Sequence, residues 1–227
     1  MSKSTTPPVS PISSTTGDRV RILEEQLLSD DWYVLKKTRF EYRRRDGQWQ
    51  VQVRETYDRG NGAVCLLFNV ERDSVVLIRQ FRYPTYVNGN ADGLLIEACA
   101  GLLDGDDPLT CIRKEAEEET GYVVHSPFKV FESYMSPGSV TEKLHFFVAE
   151  YQDQTRATAG GGDATEGEDI EVLELPLARA LEMIASGAIQ DGKTIMLLQH
   201  AAMQGLARLQ STCRGDGPPA ASPAAKR

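Results

Sequence analysis

Residues 100–122 read AGLLDGDDPLTCIRKEAEEETGY. The stretch predicts a short helix with a marked start and stop. Asp107 is a capping residue, Pro108 suits the first turn, and Gly121 followed by Tyr122 supplies a left-handed end. Leu109, Ile112 and Ala116 recur at i, i+3 and i+7 and form an apolar stripe. Beside it stand Glu115, Glu118 and Glu119, which at about 100° per residue span only about a third of the helix circumference. Their charges repel unless a cation sits among them, and a hard divalent ion is the natural partner of such oxygens. Glu119 lies nearest the stripe, whereas Glu117 points away and reads as solvated.

An acidic run ordinarily marks a solvated helix face. The surroundings favour a site here. A Gly-containing loop leads into the helix, and Leu94, Leu95 and Ile96 before it read as a buried strand able to hold loop and helix rigidly.

Composition sets independent limits. The 227 residues are enough to bury a sizeable core as one domain, or one domain with a small accessory unit. A formal charge of -8 and a pI near 5.0 exclude broad binding to a nucleic-acid backbone, so basic residues must act locally. Cys65, Cys99, Cys111 and Cys213 have no CxxC spacing and fall mostly in apolar runs, which reads as reduced core thiols rather than disulfides or zinc ligands. His125, His145 and His200 are scattered singly and read as structural. No run approaches the roughly 18 apolar residues of a membrane span, and no basic-then-apolar leader opens the chain. The expectation is a soluble cytoplasmic protein without nucleic-acid or membrane partners.

Along the chain, residues 1–17 are rich in Ser, Thr and Pro, and the end, from about 214 onward, is rich in Ala, Pro and Gly. Segments 1–17 and 211–227 are therefore expected to be disordered tails. Residues 18–57 read as a small β unit, with strands at 32–42 and 48–53 flanking the Asp46-Gly47 turn signal. Residues 58–210 form the main domain. Apolar runs at 64–70 and 75–78 are followed by a loop to Asn90, and further strands are expected at 128–134, 144–151 and 170–174. Helices are expected from Pro176, with Leu177, Leu181 and Ile184 apolar, and near Gly192, with Ile195, Leu198 and Met203 apolar. Strands first and helices interspersed later indicate an α/β (α+β) domain, a layered sheet with helices on its faces.

Cationic donors for an anion come from LIRQFR, where Arg79 and Arg82 leave a buried strand. A spacing of three puts them on different sides of an extended chain. Gly160, Gly161 and Gly162 permit a mobile loop able to carry a carboxylate inward.

The stretch around 100–122 resembles the box of the Nudix hydrolases: Gly, five residues, Glu, seven residues, then Arg-Glu-apolar-x-Glu-Glu-x-Gly-apolar. Glu115, Ala116, Glu118, Glu119, Gly121 and Tyr122 match it, Asp106 stands for the first Glu, Lys114 for the Arg, and the leading Gly is displaced by one to Gly101. The segments YDRGNGA (57–63), LIRQFRYPTYVNGN (77–90), CAGLLD (99–104), YMSPGSVTEKLHFFVAEY (134–151), AGGG (159–162) and EDIEVLELP (168–176) extend the resemblance over roughly residues 20–210, toward the bacterial GDP-mannose pyrophosphatase group.

The resemblance implies a Nudix-type α/β/α sandwich of mixed sheet and helices, with the N-terminal β unit exchanged across a homodimer. It implies magnesium, or manganese, held by Glu115, Glu119, the carbonyl of Ala100 and a loop carboxylate. That carboxylate is Glu168, with Glu166 as its rival. Glu118 is implied as a further metal-facing residue and Glu142 as another substrate or catalytic carboxylate. Arg82, Lys193, Arg54, Glu55 and Gly167 fall at substrate-contacting positions, and Trp32 where an aromatic stacks on guanine from the partner subunit. Arg79 is left as a structural ion pair. The implied activity is hydrolysis of GDP-mannose to GMP and mannose 1-phosphate. ADP-ribose or another nucleoside diphosphate sugar is the alternative substrate, and a catalytically silent nucleotide-sensing domain is the lesser alternative.

Overall fold

A computed structural model describes residues 19–215, in two compact units. The expected tail over 1–17 lies outside the described residues, as does the chain beyond 215.

The smaller unit is a three-stranded antiparallel sheet of β1 (Val20–Asp30), β2 (Val34–Arg43) and β3 (Trp49–Asp58), in that order, together with residues 136–142. The β2–β3 turn forms at Asp46-Gly47, where Gly47 takes φ 83° and Asp46 accepts from the Gln48 N–H at 3.0 Å. β1 was not delimited from the sequence, because its apolar residues do not alternate cleanly. Two register shifts, between Ile22 and Glu24 and between Leu27 and Ser29, break the period of two.

The larger unit is built on β4 (Gly62–Asn69), β5 (Ser74–Phe81), α1 (Tyr83–Val87), β6 (Leu94–Glu97), β7 (Cys99–Leu102), α2 (Pro108–Thr120), β8 (Phe128–Tyr134), β9 (Lys143–Glu150), β10 (Glu171–Pro176), α3 (Leu177–Ala185), α4 (Gly192–Gln204) and α5 (Leu206–Arg214). Its seven strands run β10-β5-β4-β9-β8, with β6 added to β5 and β7 to β4, and only β4–β9 is parallel. All eight residues of β4 are buried, as a central strand covered on both faces requires. Val64, Leu66 and Phe68 face one core layer with Leu177, Leu197, Leu198 and Leu209 of the last three helices. Ala63, Cys65 and Leu67 face the other, with Cys111, Ile112 and Ala116 of α2. The α/β/α sandwich is therefore written in the alternation of one strand.

β4 and β5 pair only over Leu67–Asn69 and Ser74–Val76 and then part. The segment 94–102 fills the gap, β6 pairing with the end of β5 and β7 with the start of β4. This places Glu97, Ala98 and Ala100 in the middle of the sheet.

Three expectations are corrected. The loop to Asn90 contains α1, a single turn with Pro84 as its second residue and no buried residue. Residues 211–214, assigned to a disordered tail, belong to α5, which buries Leu206 and Leu209. Met203, taken as an apolar-face residue of α4, is 76% exposed, because the buried stripe of that helix runs through Thr194, Leu197, Leu198 and Ala201. Among the described residues no helix is long and apolar enough to cross a membrane.

Candidate active site

α2 has the ends its sequence calls for. Asp107 accepts from the N–H groups of Leu109 and Thr110, at 3.0 and 3.2 Å, and Gly121 adopts φ 79°. Lys114 pairs with Asp106, so the two residues that depart from the motif tie the loop to the helix with a salt bridge. Gly101 is where the Glu115 side chain lies, and a Cβ there would overlap its carboxylate. The displaced glycine is thus explained by close approach.

Glu119 is 1% exposed and accepts from the Ala100 N–H at 2.9 Å. Burial pushes its carboxyl well above the usual range; the charges of Glu115 and Glu168 push the same way, while the Ala100 bond and the Arg82 charge oppose them. Glu118 is exposed on the same helix, and Glu117 is exposed as expected. Glu168 accepts from the Asp163 N–H at 3.0 Å and packs against Gly162, near enough to Glu119 to shift its titration. The side chain of its rival Glu166 lies outside the described residues. Gly167, with φ 81°, closes a short 3-10 turn and is exposed.

Gly160 to Gly162 lie in close contact with the end of α2. The N–H groups of Gly161 and Gly162 bond the Glu119 and Glu118 carbonyls at 3.0 and 3.2 Å, closing the otherwise open end of α2. Gly160 lies so close to the Glu119 carbonyl that a Cβ there would strike it. These glycines allow the loop carrying Glu168 to press against the helix carrying Glu119.

A second, cationic cluster adjoins the carboxylates. Arg82 grips Glu97, with Nε 3.1 and 3.3 Å from its two oxygens and a terminal nitrogen at 2.8 Å. The Lys193 Nζ lies 3.2 Å from Glu97 and 2.9 Å from Asp191. Asp191 also caps α4 through Thr194, whose Oγ1 accepts from the Ala98 N–H at 2.7 Å. Glu97 is 2% exposed; burial would raise its carboxyl, but the charge of Lys193 and the bonds and charge of Arg82 bring it below the usual range. Arg79 instead pairs with Glu171, its cross-strand neighbour on β10, as expected of a structural ion pair.

The larger unit thus brings together Ala100, Glu115, Glu119, Glu168, Arg82 and Lys193. Trp32, Arg54, Glu55 and Glu142 belong to the smaller unit. Trp32 is 80% exposed, so it is not the core tryptophan that an isolated Trp ordinarily is. Arg54 and Glu55 are exposed, and Glu142 pairs with Arg59 at 3.4 Å. Sequence reasoning missed Glu97 and Asp191. A single charge closing the apolar run LLIE was a usable signal, since a buried charge requires a partner.

Among the described residues no three His, Cys, Asp or Glu side chains stand at the spacing of an assembled metal site. Glu119 is engaged by the Ala100 N–H and Glu168 by that of Asp163. The donor set nonetheless suits a hard divalent cation: the candidates are all oxygens, and the most buried carboxylate is raised by burial and like charge, which a cation would reverse.

A layered α/β/α sheet with this box packed on its central strands defines the class, and the chain belongs to the Nudix family, whose domain matches residues 58–198. Nudix hydrolases generally use divalent metal ions. Residues 19–57 match a second family, the GDP-mannose pyrophosphatase NudK N-terminal domain. Among similar proteins, the GDP-mannose pyrophosphatase of Pectobacterium atrosepticum is 57% identical over 186 residues, 82% of this chain and 95% of its own. That of Cronobacter sakazakii is 56% identical over 187 residues, covering 82% and 97%. A solved structure titled as an ADP compounds hydrolase superposes with a TM-score of 0.62 at 16% identity, over 89% of this chain and 100% of its own, and shares the fold.

Proposed function

We propose that this chain is a magnesium-dependent pyrophosphatase that hydrolyses GDP-mannose to GMP and mannose 1-phosphate, with manganese able to replace magnesium. The observation that carries the chemistry is the juxtaposition of a buried acidic pole, Glu119 with Glu115 and Glu168, and a basic pole, Arg82 and Lys193. A diphosphate needs both: cations for its oxygens and an anionic seat for its metal. The sugar nucleotide is assigned from the relatives bearing that name at 56–57% identity over more than four-fifths of the chain.

In this reading Glu115, Glu119, Glu168 and the Ala100 carbonyl hold the divalent ions, with Glu118 beside them. A bound ion supplies neutralisation of phosphate oxygens and a lowered pKa for water. Arg82 and Lys193 bind the diphosphate and stabilise the charge that grows on it. Glu168 orients the attacking water and Gly167 contacts the nucleotide; for Glu142 the family resemblance supports a substrate or catalytic role, and for Arg54, Glu55 and Trp32 nucleotide contacts, Trp32 from a partner subunit. Val51 and Val53, 47% and 43% exposed, lie on one face of the β unit and Leu27, 57% exposed, on the other, so apolar side chains stand open on it that a second copy of the chain would cover. The working compartment is the cytoplasm.

Product analysis in heavy-oxygen water with a panel of sugar nucleotides tests the assignment. GDP-mannose should be cleaved fastest, with the label in GMP or in mannose 1-phosphate identifying the phosphorus attacked. Faster cleavage of ADP-ribose would move the substrate assignment, and no cleavage of any member would overturn the enzyme reading.

A further inference from the structure

Glu97 has no part in the roles above, yet it is a buried carboxylate in direct contact with both cations of the basic pole. Its carboxylate is 2% exposed, and its bonds run to two cations from distant parts of the chain: Arg82 after β5, and Lys193 at the start of α4. Arg82 is 38% and Lys193 14% exposed, so both keep surface while Glu97 keeps almost none. A carboxylate in that position would repel a phosphate rather than bind it. What it can do is fix two long side chains, otherwise free to rotate, at one spacing. The pairing with Glu97 engages Nε and one terminal nitrogen of Arg82. Asp191 holds the other flank of Lys193 and is fixed by its capping bonds to Thr194.

We propose that Glu97 is a positioning residue that assembles Arg82 and Lys193 into a two-cation clamp for the diphosphate. The end of β5 and the start of α4 deliver the cations, and the carboxylate ending β6 ties them at the place where the split is filled. Removing the tie leaves both charges present but unregistered, so diphosphate binding weakens although no ligand of the diphosphate has been deleted. The effect must travel through the cations. Without Lys193 the carboxylate has less to arrange, and its own substitution should matter less.

The inference rests on the substrate carrying a diphosphate, and its test is kept separate from the identity of the sugar nucleotide. Affinity for methylenediphosphonate in the presence of magnesium is measured by calorimetry for wild type, Glu97→Gln, Lys193→Ala and the double variant, with thermal melting as the folding control. Glu97→Gln is expected to weaken binding about tenfold or more, and to change it less than about twofold once Lys193 is alanine. Equal affinities for wild type and Glu97→Gln, or full additivity in the double variant, would overturn the clamp. Should Glu97→Gln fail to fold, Glu97→Asp keeps the charge and withdraws it by one methylene. Binding weakened about threefold supports the proposal, and wild-type affinity contradicts it. Turnover of GDP-mannose by the wild type is scored separately, so loss of the function assignment and loss of the clamp are distinguishable.

Discussion

Glu97 and Glu119 are exposed by only 2% and 1%, yet their neighbours drive their proton affinities apart. Glu97 faces Lys193 and Arg82 and stays ionised below the usual carboxylate range, whereas Glu119 is raised by burial and by Glu115 and Glu168. Opposed environments for like groups are how one site separates roles. Residue-scale geometry makes Gly101 a sensitive probe, because its missing side chain is the space that Glu115 occupies. Gly101→Ala should displace the Glu115 carboxylate, a flexible group able to yield. Turnover should therefore fall roughly 10- to 100-fold with little change in melting temperature. Steady-state kinetics paired with thermal unfolding checks it; a large loss of stability with intact turnover would mean that Glu115 is structural.

At the scale of elements, α2 was legible because every signal for it is local: the Asp107 cap, Pro108, the Leu109–Ile112–Ala116 stripe and Gly121 all lie within 15 residues. The strands of the sandwich were legible from their apolar runs. β7 was not, since CAGL offers small residues without alternation and becomes a strand only by pairing with β4. The clamp residues were legible only in part, because Glu97 and Lys193 stand 96 positions apart and nothing in either neighbourhood names the other. Gly160 to Gly162 announced conformational freedom, but sequence does not say whether that freedom serves motion or close contact; the structure uses it for contact with α2. Gly121 carries both demands, a positive φ and backbone packed against the Thr158 carbonyl. Gly121→Ala should destabilise the protein by about 1–2 kcal/mol from the left-handed conformation alone, and further from the clash. Denaturant unfolding measures this, and an unchanged midpoint would show that the helix end is not so constrained.

For the molecule as a whole, net charge of -8 conceals carboxylates with opposite effects on acid stability. Glu132 is brought down to about 2 by hydrogen bonds from Lys129 and Lys143, and Glu97 is also lowered. A depressed folded-state value gives stability that is present above the unfolded carboxylate value of about 4.3 and lost as pH falls through the folded one. Melting temperature should therefore drop between about pH 5 and pH 2, and Glu132→Gln should flatten that drop; an identical pH profile in the variant would remove Glu132 from the account. The proposed function also calls for a second copy of the chain against the exposed apolar residues of the β unit. Light scattering should return about twice the 25.1 kDa chain mass, and a monomer at micromolar concentration would leave Trp32 without a partner subunit to serve.

The central claim is that the α2 carboxylates seat the divalent ions that make pyrophosphate hydrolysis possible. Its most direct test is GDP-mannose hydrolysis by wild type and Glu119→Gln across a magnesium titration, with circular dichroism to confirm the fold. The account predicts GMP and mannose 1-phosphate from the wild type only when magnesium is added, and a loss of about 100-fold or more in the variant. Magnesium-dependent turnover at the wild-type rate in Glu119→Gln would contradict it.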